Sequence, residues 1–273
     1  MSLHEFSTRL KIASRTQIIN RIGTVIGAFL MHMAIYLPLP FLLSYLNTST
    51  PLTLAIYFAG AFLIRLYSGI LMAGENFIYL KCATGAEPAT LDLLYGFRNQ
   101  TAQIIKLRLI PAIILQLVDI PVLLITEKLS LVMPDTTTML EILRSGDYET
   151  IMRLSEELFP VTSLSCLIYL MQFLITLAVN VAFSQTIFYM LDYPDLTAGE
   201  ILSRSISLIR DDWGKYIYVT FSFIPWYVLG IATFYFGFLW SIPYQWSVRA
   251  NFYLELVRKR SGQKSERHVD VWV

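Results

Sequence analysis

Long apolar runs separated by short polar stretches dominate the 273-residue chain. A run of about 18 or more apolar residues has the length of a transmembrane helix, because roughly 20 helical residues cross the hydrocarbon core. The runs are continuous rather than alternating, which predicts helices and not a barrel. Six transmembrane helices are predicted, over about 18–46, 51–80, 101–126, 161–191, 213–234 and 238–258. Pro38 and Pro40 disturb the first. Pro51 opens the second, where a missing N–H does no harm. Pro111 and Pro121 are expected to kink the third. The fifth and sixth join around Phe236-Gly237, which leaves no room for a domain between them.

Short amphipathic pieces accompany these helices. Residues 1–17 combine Arg9, Lys11 and Arg15 with Leu3, Phe6, Leu10 and Ile12, a pattern suited to a membrane surface. The basic-then-apolar order resembles a signal peptide. However, the run from Ile22 to Leu46 is too long for one, and no small-x-small cleavage site follows it. Similar pieces lie before the third helix (87–98) and the fifth (197–210). Their openings, Ala89-Thr-Leu-Asp-Leu-Leu and Ala198-Gly-Glu-Ile-Leu, read either as a parallel duplication or as shared simple composition. Residues 127–160 form the one sizeable polar segment, an insertion or cap between the third and fourth helices. Thr138 to Glu141 fits a capping box, Gly146-Asp147 a stop and a new N-cap, and Pro160 the closing residue. Two short helices are predicted there, over 138–145 and 148–158.

Charge turns this pattern into a topology. Only 15% of residues are charged, against about 25% in soluble domains. Of the 21 Lys and Arg, 17 fall in 1–21, 81–108, 192–215 and 249–267, all on one side of a six-helix arrangement. Positive-inside then predicts cytoplasmic N- and C-termini. The 127–160 cap, with seven acidic residues and three basic ones, is expected to face outward. The expectation is one all-α, polytopic membrane domain over 1–273, in contact with the lipid bilayer. The net charge of +1 gives no reason to expect a nucleic-acid partner. Cys82 and Cys166 are expected toward opposite faces, so no disulfide is predicted, and both read as small buried residues. No Cys/His cluster points to a metal.

A few polar residues interrupt the apolar runs. Arg65 and Asp119 are costly in a bilayer unless paired or hydrated. Arg65 sits about 24 Å from Lys81 along its helix and Asp119 about 22 Å from Ile104, at ~1.5 Å per residue. Equal depth makes them natural partners, as a structural ion pair or as the lining of a polar path. Glu75 lies nearer the cytoplasmic end, within expected reach of Arg108, Arg249 or headgroup water. Gln116, Gln172, Asn180 and Gln185 are expected to hydrogen-bond neighbouring helices. His32 has no carboxylate in register and reads as a helix-packing residue. Asp211 and Asp212 suit the positive end of the fifth helix. Trp213, Tyr216, Trp240, Tyr244 and Trp246 suit the bilayer interface. Asn47-Thr-Ser is a glycosylation sequence on the outer side, relevant only in a eukaryotic secretory setting. No nucleotide loop, nucleophile elbow, zinc motif or dinucleotide fingerprint is present, so neither enzymatic activity nor a cofactor is expected.

Residues 199–256 resemble the family of membrane proteins called domain of unknown function 975. The resemblance rests on Ile201, Leu202, Ser205, Leu208, Trp213, Lys215, Ser222-Phe223-Ile224, Trp226, Leu229, Gly237, Leu239-Trp240, Pro243-Tyr244, Ala250 and Phe252-Tyr253. Leu94-Tyr-Gly-Phe97 extends it upstream, while Pro225 stands where the pattern has Gly. The resemblance implies a bacterial plasma-membrane protein and no catalytic residues. Trp226, Trp240, Pro243 and Tyr244 either carry a family function or specify the tight hairpin over 199–258. The expected role is a non-enzymatic accessory subunit or a peptide export or immunity factor. Its partner would be another membrane protein or a cationic secreted peptide at the cap. The alternative is a small-solute transporter or channel using Arg65, Asp119, Gln116 and Gln172.

Overall fold

The computed structural model describes residues 2–46, 50–134, 136–146 and 148–262, and every regular element among them is helical. Helix α1 spans Leu3–Ile19. Ser2 caps it: its hydroxyl accepts from the Glu5 N–H at 3.2 Å, and the Glu5 carboxylate accepts from the Ser2 N–H at 2.8 Å. Phe6, Leu10, Ser14 and Ile18 recur every four residues and are buried. The first predicted membrane helix divides into α2 (Ile22–Tyr36) and α3 (Pro38–Ser44). Leu37 between them keeps helical angles (φ −58°, ψ −36°), and Pro38, which has no N–H to donate, opens α3. Helix α4 (Pro51–Thr84) starts at a Thr50 cap and stops at Gly85, whose φ of 88° suits a glycine. A 3₁₀ turn (Thr90–Leu94) and the single-turn α5 (Tyr95–Arg98) follow. Helix α6 (Thr101–Val132) runs through Pro111 and Pro121 without a break.

The segment over 127–160 differs from expectation. Helix α7 (Thr136–Ser145) begins two residues before the predicted Thr138 cap. Helix α8 runs from Tyr148 to Ala182 with Pro160 inside it. The second cap helix and the fourth membrane helix are therefore continuous. Proline leaves one carbonyl unbonded, which a long helix can carry where that group is exposed. Asp147 and Asn47-Thr-Ser lie outside the described residues.

The predicted fourth helix ends early, and α9 (Thr186–Asp192) restarts it after a turn at 183–185. Helix α10 (Ala198–Ile209) carries the capping pair Thr197 and Glu200. The predicted fifth helix is two helices, α11 (Trp213–Phe221) and α12 (Ile224–Ala232), parted at Ser222-Phe223. Pro225 in the first turn of α12 accounts for the break, since its missing N–H is harmless only there. Helix α13 (Phe238–Ser261) ends the described chain.

Four helical stretches are long and apolar enough to cross a membrane: Ile22–Ser44, Pro51–Thr84, Thr101–Leu129 and Tyr148–Asp192. The chain is thus an all-helical protein with the hallmarks of membrane embedding. The other two predicted spans do not stand out in this way. Helices α11 and α12 are only nine residues each, and α13 is not apolar on average, because Arg249, Glu255, Arg258, Lys259 and Arg260 offset its apolar residues. Ser241, Tyr244, Gln245, Ser247 and Tyr253 of α13 face protein.

Two compact units divide the chain. The first comprises residues 1–112 and 181–273, the second 113–180. In the first, α13 is the central helix and packs on α1, α2, α4, α10 and α12. Tyr79, Phe188, Phe223, Phe252 and Tyr253 fill its core. Burial on α4 begins at Gly69 and continues to Cys82, whereas Leu52, Ile56 and Leu63 are exposed. Two glycines let the 3₁₀ turn and α5 lie against α4. A Cβ on Gly74 would stand 1.8 Å from the Leu93 carbonyl oxygen, and one on Gly96 would stand 2.4 Å from the Ile70 carbonyl oxygen. In the second unit, the Thr126 and Tyr169 hydroxyls are 2.9 Å apart and join α6 to α8. Leu164, Leu167, Leu170, Phe173 and Leu174 of α8 are exposed there, as lipid-facing residues would be. Both cysteines are free: Cys82 is buried as expected, but Cys166 is exposed.

Candidate functional site

The residues that mark the C-terminal hairpin converge on Tyr244. Its ring meets Phe223 edge-on at 5.3 Å and Trp226 edge-on at 6.1 Å, and stacks on Trp240 at 6.0 Å. Adjacent Pro243 is buried inside α13. The Tyr244 hydroxyl donates to the Lys11 carbonyl oxygen at 3.0 Å, which ties the cluster to α1. Lys11 itself donates to the Ser222 carbonyl oxygen at 3.1 Å, with its ammonium 4.8 Å from the Phe223 ring centre. The lysine therefore satisfies a carbonyl released where α11 breaks from α12. Burial makes the Lys11 ammonium easier to deprotonate than usual.

Hydrogen bonds continue this junction along α13. The Asn251 amide donates to Ser14 Oγ at 2.9 Å, Gln17 Oε1 at 2.6 Å and the Ser247 carbonyl oxygen at 3.1 Å. Gln17 donates to the Ala83 carbonyl oxygen at 3.2 Å, so α1, α4 and α13 share one polar joint. Tyr253 donates to Asp192 at 2.5 Å and stacks on Phe188. Asp212 stands at the N-cap position of α11, the start of the predicted fifth helix, without a side-chain hydrogen bond to that helix. Its carboxylate takes Lys215 and Lys259, each at 2.6 Å. Burial works against its ionisation, but the two lysines outweigh that and hold the carboxyl below the usual range.

Arg65 lies half-buried on α4 in the first unit. Gln116, Asp119 and Gln172 belong to the second, where Gln172 donates to Asp119 Oδ1 at 3.2 Å. Glu75 is buried on α4, and its ion partner is His32: Nδ1 and Oε1 are 2.9 Å apart. Arg108 instead reaches Met72 Sδ at 3.5 Å, and Arg249 lies 4.8 Å from the centre of the Trp246 ring. The expectation that His32 has no carboxylate in register is thereby overturned. The two residues lie 43 apart on different helices, so helical spacing carried no sign of the contact.

A family model described as "Protein of unknown function (DUF975)" matches residues 5–260. No curated protein and no solved structure matches the chain.

Proposed function

From the premise that the chain belongs to the DUF975 family, we propose that it is a non-enzymatic bacterial plasma-membrane protein of the accessory, peptide-export or immunity type. Its outward segment receives a cationic amphipathic peptide. One observation carries this reading. Helix α7 and the first half of α8 expose Leu140 (61%), Tyr148 (82%), Met152 (60%) and Phe159 (74%) in the same segment as exposed Glu141, Glu149 and Glu156. A solvated loop has no need of so many exposed large apolar groups. Acidic and apolar groups together complement a peptide that is basic on one face and apolar on the other.

The topology that goes with this has six crossings, α11–α12 and α13 being the last two. Residues 213–232 would reach about 30 Å at ~1.5 Å per residue, enough for the hydrocarbon core. The charge asymmetry supports cytoplasmic termini and an outward cap.

The test is peptide binding to the protein in zwitterionic nanodiscs, with a synthetic Lys/Leu amphipathic helix as probe and empty nanodiscs as blank. Binding should weaken steeply from low salt to about 0.5 M, where charges are screened beyond a few ångströms. It should also vanish in the triple variant Glu141→Lys, Glu149→Lys, Glu156→Lys. Salt-independent binding, or binding equal in that variant, overturns the reading. A stoichiometric membrane protein recovered by crosslinking would move the partner from peptide to subunit.

The Gln172–Asp119 hydrogen bond favours a second reading, small-solute transport along α6 and α8. Flux into proteoliposomes that disappears in Asp119→Asn would establish it. Equal flux in that variant and the wild type would exclude Asp119 from any path.

A further inference from the structure

His32 and Glu75 both lie in stretches long and apolar enough to cross a membrane, and their side chains are only 10% and 4% exposed. They share the α2–α4 seam with Ala28, Leu71, Ile78 and Leu93, a cluster covered by Met31, Ile35, Tyr36 and Tyr67. His32 follows Ala28 by one helical turn, and Glu75 stands between Leu71 and Ile78 on its helix, so each extends the same apolar face. Nδ1 and Oε1 are at ion-pair distance, although Nδ1 is out of line for a hydrogen bond.

Charge counting shows what such a pair does. With one proton between them, imidazolium–carboxylate or imidazole–carboxylic acid, the pair is neutral overall. With two protons or none, a net charge is left in an apolar seam, which is strongly unfavourable. We propose that His32 and Glu75 form a proton-binding site whose occupancy is coupled to the closure of α2 against α4. Closing the seam holds one proton; opening it admits water and lets that proton exchange.

The other titratable groups on the surrounding elements have their own contacts. Tyr36 meets the His32 ring edge-on at 5.8 Å, and Tyr79, one turn beyond Glu75, stacks on Trp246 at 6.4 Å. Lys81 pairs with Asp92 of the 3₁₀ turn at 2.9 Å, and Tyr95 of α5 stacks on Phe77 at 4.3 Å. Arg108 and Arg249 are engaged as described above. Arg21, between α1 and α2, binds the Gly85 carbonyl oxygen and Glu87, each at 3.0 Å.

The experiment is histidine-selective ¹⁵N NMR of the full chain in nanodiscs, titrated from about pH 4 to 9 around the ordinary imidazole range. The sequence has three histidines, His4, His32 and His268, and loss of one signal in His32→Gln assigns it. The His32 midpoint should move by about one pH unit or more in Glu75→Gln. Amide exchange over 22–36, corrected for intrinsic rates, should depend on pH in the wild type. That dependence should be absent in the double variant His32→Gln, Glu75→Gln, which carries no titratable group at the site. An unmoved His32 midpoint in Glu75→Gln overturns the proposal. So does a wild-type α2 whose exchange is independent of pH, a result that needs no variant to fold.

Discussion

The Leu93 carbonyl oxygen occupies the space that a β-carbon on Gly74 would need, 1.8 Å from its position. Alanine is the better helix former by about 1 kcal/mol, so at a free helical position Gly74→Ala would stabilise α4. Here the obstacle is backbone, which cannot swing aside as a side chain can. Gly74→Ala should therefore destabilise the protein by several kcal/mol, on the order of ~3 or more. Thermal unfolding in detergent checks both sign and size. Gly199→Ala in α10, where a Cβ meets nothing within 4 Å, is the matched control and should stabilise slightly, by up to about 1 kcal/mol.

The Tyr244 hydroxyl and the Lys11 carbonyl join the hairpin to α1 through one hydrogen bond. Tyr244→Phe keeps the ring cluster and deletes that bond, at a cost of about 1 kcal/mol. Amide exchange over α1 should accelerate about fivefold, since 1.4 kcal/mol corresponds to tenfold. Exchange over the 113–180 unit should be unchanged.

Asp212 is easier to ionise in the folded chain than in the unfolded one, because Lys215 and Lys259 outweigh its burial. Its contribution is therefore full above the unfolded value of about 4 and is lost as pH falls through the lower folded value. Asp212→Asn should cost about 1 kcal/mol at pH 7, discounted because both lysines are partly solvated. The gap between variant and wild type should close below about pH 4. Unfolding midpoints across that range test the sign.

Asn251 donates to groups on α1 and on its own helix. Asn251→Leu leaves Ser14 and Gln17 without this donor, so it should destabilise by about 1–3 kcal/mol despite its added apolar surface. Protease accessibility of α1 should rise with it. Equal accessibility in the two proteins would mean that α1 is held elsewhere.

Local chemistry made much of this fold legible in the sequence. Pro38 and Pro40 marked the disturbance where α2 gives way to α3, and Pro51 marked the start of α4. The Tyr244 cluster was legible as a motif, since four of its residues recur in the family pattern, but its link to Lys11 was not. Pro160 misled for a simple reason: proline is an ordinary stop signal, yet it stands inside α8. The turn at Ser222-Phe223 left its mark only in Pro225, because hydropathy does not register a backbone turn. The His32–Glu75 contact depends on how α2 rotates against α4, and a single sequence holds no periodicity between separate helices.

The partnership of α1 with α13 also bears on biogenesis. Helix α1 leaves the ribosome before every other described helix, and α13 after them all. Yet Ser14, Gln17 and Lys11 find partners on α13, and Arg9 pairs with Glu255. The part of the nascent first helix that meets α13 must therefore wait unoccupied through the synthesis of more than 200 residues. The 113–180 unit is complete in the chain well before that wait ends. A ribosome that stalls short of α13 would release a protein with most of its apolar helices inserted and its first helix only partly docked. Such a partly exposed helix is what membrane quality-control proteases and chaperones can recognise.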